Sequence, residues 1–380
     1  MKWPKINRRS IGSAIRTFTA SVGATAVCMV SSLAFLGSTQ PVSAMEASVF
    51  NGGSGFREET AAPVSETGGG TKYVIPLGTT FGIKLFTDGV IVASLSDIYT
   101  ENGVSCPAAD AGIRPGDYIL SVNGKTVENN EFLARLVCAC EGKSLSLQVK
   151  RGEEIFETTV QPIYGEGSFK TGMWIRDSAA GIGTLTFYNP ESKVFAGLGH
   201  GICDMDTSGI MTLKSGEPAE ITLCGIVKGK ENEPGRLKGY FSSDEAMGQL
   251  LVNNETGVYG TFRQEPTGEA MEVMKRGDVK RGKVQLLVST DQSGPQLYDA
   301  EIQKVSADSQ HTKNLVVKVT DPRLLAQTGG IVQGMSGCPI IQDGKLAGAI
   351  THVFTEDPTT GYGIFAETMC EESVVFSMSK

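Results

Sequence analysis

Apolar and polar positions change their rhythm several times along the chain. From Thr17 to Gly37 there is no charged residue, and Lys2, Lys5, Arg8, Arg9 and Arg16 precede the run. Val42-Ser43-Ala44 follows as a small-residue cleavage pattern. A positive flank, an apolar run and small residues together predict an export segment over 1–44, either a removed signal peptide or a retained membrane anchor. The positive flank would stay cytoplasmic and the rest would be delivered outside. Residues 45–72 carry Gly52-Gly53-Ser54-Gly55 and Gly68-Gly69-Gly70 among polar residues, which predicts a flexible linker.

Between 73 and 163 the period is mostly two. Phe81 to Leu85 and Val90 to Ala93 read as strands joined at Asp88-Gly89, a plausible hairpin. Pro107 to Asp110 predicts a short helical turn stopped by Gly112, with a Pro115-Gly116 turn after it. Tyr118 to Val122 predicts a strand ending at the Asn123-Gly124 turn pair. Phe132, Leu133, Leu136 and Val137 share one stripe of a helix over 129–141, and Leu145 to Val149 alternates again. Residues 164–380 continue with short runs and turn residues: Gly183 to Tyr188, Lys193 to Ala196, Val284 to Val288, Leu315 to Val319, and a hairpin turning at Gln342 to Lys345. Strands at this spacing over some 215 residues suggest a β-barrel or a pair of barrels.

Composition narrows the function. Hydrophobic residues make up 40% of the 380 and charged residues 20%, enough for packed cores. The 47 Gly and 15 Pro suit a turn-rich, mostly β protein. A net charge of -8 argues against nucleic-acid binding, because neutralising phosphates needs a basic face. Beyond Cys28, the seven remaining Cys are an odd number with no CxxC pair, so neither a full disulfide set nor zinc-ligand spacing is expected. Most are expected to be buried small hydrophobes.

Candidate chemistry centres on Gly334-Met335-Ser336-Gly337-Cys338-Pro339. A Ser among small residues on a tight turn exposes its hydroxyl, and the amides of Gly334 and Ser336 could hold a developing oxyanion, an effect worth about 3 kcal/mol. A hydroxyl needs an adjacent base. Only His200, His311 and His352 are available. His200 ends an apolar run amid glycines, in Gly197-Leu198-Gly199-His200-Gly201, and is the candidate base. His311 lies in a polar loop. His352 follows the strand after the nucleophile hairpin, either packed in the core or lining a pocket beside Ser336. An Asp would orient the imidazole; Asp321, Asp204 and Asp206 are candidates, and spacing does not choose among them. No cofactor or metal is implied, since there is no HExxH and the three His are scattered.

The run "AADAGIRPGDYILSVNG" resembles a PDZ domain, covering 73–163. In that family an extended peptide adds to the strand after a carboxylate-binding loop, a position matched here by Thr80, Phe81, Gly82 and Ile83. The export segment, the PDZ-like region, "GLGHGICD" and "GGIVQGMSGCPIIQDGKLAGAITHVF" together resemble the stage IV sporulation B peptidase family. That resemblance implies a chymotrypsin-like double β-barrel serine peptidase over 164–380, with His200 as base, Ser336 as nucleophile and Asp321, fifteen positions before Ser336, as orienting acid. GMSGCP stands where digestive relatives have GDSGGP, so Cys338 narrows the space near the nucleophile. The resemblance also implies a role in sporulation signalling between the forespore and mother-cell membranes. There the peptidase would cut itself near the N-terminus and cleave a membrane-bound regulator of an intramembrane protease, activating a late sigma factor. Its partners would be that regulator, itself, and the membrane if the N-terminal segment is kept. A non-catalytic exported PDZ adaptor, or a cysteine protease using Cys338 or Cys203, are the rival readings.

Overall fold

The computed structural model describes residues 71–101, 103–306 and 312–375, together with a two-residue strand Val42–Ser43. The expected export segment 1–44 and linker 45–72 otherwise lie outside the described residues, as does His311. The described chain is mostly β and forms two compact units. Of the described residues, one holds Gly89–Arg176 and the other holds those up to Asp88 and from Asp177 on.

The smaller unit has the expected PDZ elements. Strand Tyr118–Val122 pairs with Leu145–Arg151, which pairs with Glu154–Val160. Asn123 and Gly124 take φ of 49° and 75°, as a tight hairpin turn demands. Helix Asn130–Cys138 starts at Asn129, whose side chain accepts from the Phe132 N–H at 2.9 Å. It buries Leu133, Ala134 and Val137, with Val90, Ile119, Leu147 and Val149 in the same core. Asp117, 1% exposed, would be costly to bury alone. It accepts from Arg151 Nε and Nη2, both at 2.7 Å, and from the Arg114 N–H at 2.8 Å. That fork ties the Pro-Gly turn to the sheet.

The described part of this compact unit begins at Gly89. Thr80–Leu95 is one continuous strand rather than a hairpin turning at Asp88-Gly89. Its two halves satisfy their backbone groups on different strands. Gly82 to Phe86 pair with Ser215–Val227, and Val90 and Ile91 pair with Tyr118–Val122. Gly89, at φ +74°, lets the strand pass through.

The larger unit contains two β structures. A closed barrel is built from Gly282–Val288, Gln296–Val305, Leu315–Val319, Thr360–Phe365, Lys345–Val353 and Pro339–Gln342, each pairing with the next. Alternate residues point inward, so Val284, Leu286, Val288, Val317, Ile340 and Ile350 fill it. The second structure is a curled sheet. Its order is Arg236–Ala246, Ser215–Val227, Thr80–Leu95, Met173–Asn189, Val194–Gly197, Gly257–Phe262 and Gly248–Asn254. Its ends approach where the Met247 N–H donates to Pro218 O at 2.8 Å. Phe81, Ile83, Leu85, Leu185, Phe195 and Leu198 form its core. Helix Ala366–Val375 packs Met369 and Cys370 against Val194, Ala196 and Ile364.

Candidate active site

The Ser336 turn bridges helix Pro322–Thr328 and strand Pro339–Gln342. Met335 N–H donates to Val332 O and Cys338 N–H to Met335 O, both at 3.0 Å, which makes the turn tight. Gly334 sits at φ +100° and Gly337 at φ +98°, where an L side chain would be strained. A Cβ on Gly337 would also press into Leu198 N and the Thr184 carbonyl. Gly337 N–H donates to Ile350 O at 2.7 Å, holding the turn to strand Lys345–Val353. Among the described residues, the N–H groups of Gly334 and Ser336 have no hydrogen-bond partner. They are the two amides expected to receive an oxyanion.

Two threonines of strand Met173–Asn189 clamp this turn. Thr184 Oγ1 donates to Gly334 O at 2.8 Å, and Thr186 Oγ1 donates to Gly337 O at 2.8 Å. Thr184 N–H donates to Ser336 O at 2.9 Å, while Thr184 O accepts from Leu198 N–H at 3.1 Å. One fully buried residue thus connects the serine turn to the loop that carries His200.

That loop is strained. Leu198 lies at φ +67° and Gly199 at φ +69°. A bulky residue in the left-handed region costs on the order of 1–2 kcal/mol, and such strain persists only where the surroundings over-determine it. Here a buried Leu198 side chain and the Thr184 carbonyl supply the constraint. Gly199 packs so closely that a Cβ would meet Thr351 Cγ2 at 2.9 Å and Ile364 Cγ2 at 3.0 Å. On the far side, Asn253 accepts from the Ile202 N–H at 2.7 Å and donates to Ile202 O and Met211 O.

His200 Nδ1 donates to Gly201 O at 2.8 Å, which leaves Nε2 as the acceptor nitrogen. Nε2 is buried and has no partner. Burial pulls the imidazole below its ordinary pKa, with the Gly201 carbonyl working the other way. The ring is therefore neutral at pH 7, in the tautomer a general base needs. Ser336 Oγ donates to Thr351 O at 2.7 Å. His352, the next residue, lies with its ring centroid 4.8 Å from that of His200, the planes 36° apart.

Asp321, the expected orienting acid, is engaged at a helix start and with an arginine rather than with either ring nitrogen of His200. Its carboxylate caps helix Pro322–Thr328, accepting from the Arg323 N–H at 2.8 Å. It also accepts from Arg323 Nε and Nη2 and from the Asp299 N–H. Pairing with Arg323 holds its pKa well below the usual carboxylate range. Asp204 closes its own turn, accepting from the Asp206 and Thr207 N–H groups and the Thr207 hydroxyl. The cysteine alternative finds no support. Cys338 is 1% exposed, beside Thr184 Oγ1, and burial pushes its thiol up to about 12. Burial, then the neighbouring Asp204 charge, raises Cys203 too.

Thr80, Phe81, Gly82 and Ile83 are not a PDZ carboxylate loop, which corrects that expectation. They belong to the larger unit, where Phe81 and Ile83 are core residues and Ile83 and Gly82 pair with Pro218 and Ala219. A Cβ on Gly82 would lie 2.7 Å from Ile221 Cγ2, so no peptide has room there. Sequence reasoning missed Thr184, Thr186 and Asn253. Their signal, a polar residue in an apolar run, was present but equally fits an outward strand position.

The fold and this turn define a serine peptidase carrying a PDZ domain. The family model SpoIVB peptidase S55 matches residues 167–370, more than half of the chain, and a PDZ-domain model matches 102–151. The chain belongs to the SpoIVB peptidase S55 family. It is also 29% identical over 86 residues to a Clostridium perfringens protein named as a zinc metalloprotease. That match takes 21% of this chain and spans 26% of the relative's length. The crystal structure of Rv3671c from M. tuberculosis H37Rv, a serine-to-alanine mutant in its inactive form, aligns with 52% of this chain and 82% of its own at 13% identity. With a TM-score of 0.26, that alignment carries no argument about the site.

Proposed function

We propose that Ser336 is the nucleophile and His200 the general base of this peptidase, with the amides of Gly334 and Ser336 as oxyanion donors. The observation that carries the reading is the state of His200. Its Nδ1 is held by Gly201 O, its Nε2 is open, and the Thr184 bridge binds its loop to the serine turn. In the first step the Ser336 hydroxyl leaves Thr351 O and attacks a peptide carbonyl. His200 Nε2 takes the proton and passes it to the leaving amine. Water then repeats the cycle and releases the acyl group. The imidazolium is supported by Gly201 O, which accepts from Nδ1.

The substrates we propose are the chain's own N-terminal segment and a membrane-bound regulator of an intramembrane protease. Cleavage would occur after export into the space between forespore and mother cell during sporulation, and would lead to activation of a late sigma factor. The family's name and the positive-then-apolar start of the sequence support this setting. Among the described residues no helix is long and apolar enough to cross a membrane.

Mass spectrometry of the full chain, as wild type and as Ser336→Ala, tests the reading. New termini upstream of residue 73 are expected in the wild type and not in the variant. Identical termini in both would refute Ser336 as the nucleophile.

A further inference from the structure

Strand Arg236–Ala246 carries two neighbouring partners along one of its edges. Its other edge pairs with Ser215–Val227, where Leu237 faces Ile226 and Gly239 faces Leu223. On the first edge the Leu237 N–H donates to Gln333 O at 2.9 Å, and the Gln333 N–H donates to Gly235 O at 2.8 Å. Gln333 stands three positions before Ser336. The Leu237 side chain is fully buried and lies under the same turn, since a Cβ on Gly334 would come within 3.0 Å of its Cδ1. Immediately beyond that contact the edge is taken by an N-terminal piece of the same chain. Val42 pairs with Gly239 and Ser43 with Lys238, antiparallel. Backbone hydrogen-bonding groups alternate between the two sides of a strand, so the Gly239 N–H and C=O point the same way as the Leu237 N–H, toward Val42. The register also sets a direction. From Val42 to Ser43 the chain runs from Gly239 to Lys238, toward Leu237 and the serine turn.

Resting on the reading above, in which Ser336 cuts the chain's own N-terminal segment, we propose that the Leu237–Gly239 edge is the surface on which that segment docks as an added strand. Val42–Ser43 is the docked pair, and the cut falls on its C-terminal side. A strand edge recognises an extended peptide through main-chain hydrogen bonds, which demand no particular side chain. An open edge is also a template for unwanted pairing. Here a segment of the same molecule takes it, at the effective concentration that a tether confers. Gln333 and Val42 hold neighbouring positions on one edge. Docking therefore brings the N-terminal segment to the turn whose Gly334 and Ser336 amides are the oxyanion donors of the reading.

The experiment uses the full chain, its mass confirming that residues 1–44 are attached, and two proline variants. By the same alternation the Val42 N–H faces strand Arg236–Ala246 and the Ser43 N–H faces away. Val42→Pro thus removes a docking donor and Ser43→Pro does not. In the Ser336→Ala background, which keeps the segment uncut, amide hydrogen exchange is read at Gly239 and at Leu237. Gly239 is expected to exchange about tenfold faster in Val42→Pro and within about threefold of the parent in Ser43→Pro. Leu237, held by Gln333, is expected to stay unchanged in both. Equal Gly239 exchange in all three chains overturns the inference. A common rise at both amides overturns it too, because that reports a loosened strand. With Ser336 in place, new termini after Ser43 are expected to form about tenfold more slowly in Val42→Pro and within about threefold of wild type in Ser43→Pro. An unchanged rate in Val42→Pro contradicts docking as the step that delivers the segment, and leaves the reading of Ser336 intact. That reading is checked separately with a fluorophosphonate, whose phosphorus an activated serine attacks with loss of fluoride. Wild-type chain that gains no new termini and stays unlabelled at Ser336 overturns the reading and the delivery with it, whereas the exchange measurement still decides the docking itself.

Discussion

Ser336 rests with its hydroxyl on the carbonyl oxygen of Thr351, 2.7 Å away, and not on an imidazole. The resting state is therefore a hydroxyl parked on a strand end, while His200 Nε2 is buried without a hydrogen-bond partner. Leaving Thr351 costs about one net hydrogen bond, on the order of 1 kcal/mol, which substrate binding can offset. Ser336→Ala removes that donor. It is expected to cost about 1 kcal/mol in urea unfolding while abolishing all cleavage; a stability loss above about 3 kcal/mol would mean the turn depends on Ser336 for its shape.

Thr184 holds Gly334 O with its hydroxyl and reaches the serine turn and the histidine loop with its backbone. Thr184→Val keeps the shape and strands that buried carbonyl. A loss of about 1–3 kcal/mol is expected from chemical denaturation, with slower labelling of Ser336. Unchanged stability and labelling would show that Gly334 needs no clamp.

The two half-buried imidazoles make stability depend on pH. Both have folded-state pKa values below the ordinary value near 6.5, His352 at about 3. The unfolded chain takes up protons there as pH falls, and the folded chain resists. Stability is thus fully present above about pH 6.5 and declines below it, by up to about 1.4 kcal/mol per pH unit for each imidazole. Below the ordinary carboxylate range Asp321, held down by Arg323, adds a further loss in the same direction. Unfolding free energies between pH 7 and 4 measure the slope, which should be shallower in His352→Phe. Equal slopes would place the His352 proton affinity near its unperturbed value.

Asp321 offers a sharp discrimination. As a helix cap it predicts that Asp321→Ala loses about 1 kcal/mol of stability and retains Ser336 labelling within a few fold at a temperature where it is folded. As an orienting acid it would lose about four orders of magnitude. Labelling kinetics and a melting curve on one preparation decide between them.

Much of the fold was legible because its signals are local. Alternation set the strands Leu315–Val319 and Tyr118–Val122, and the stripe of Phe132, Leu133, Leu136 and Val137 set helix Asn130–Cys138. The tight turn around Ser336 was legible because Gly334 and Gly337 take positive φ there, which favours glycine. The misreadings came from long-range competition. Asp88-Gly89 is a strong turn signal, yet strands more than 25 residues away pair with each half of Thr80–Leu95 and keep it straight. The same competition took Thr80 to Ile83 into the core of the peptidase unit. For Asp321, the cue in the sequence was the helix-start pattern Asp-Pro, with a Pro at the first helical position and the cap just before it. The pairing with Arg323 two residues on completes that role. The ring contact between His200 and His352 joins positions 152 residues apart and leaves no trace in either neighbourhood.

The central claim is that a proton passes from Ser336 to His200. Peptide mapping after fluorophosphonate treatment of the full chain tests it most directly. The account predicts a single phosphonyl adduct on Ser336 in the wild type, formed at least a hundredfold more slowly in a folded His200→Ala variant. An adduct on another residue, or equal labelling with and without the imidazole, would contradict it.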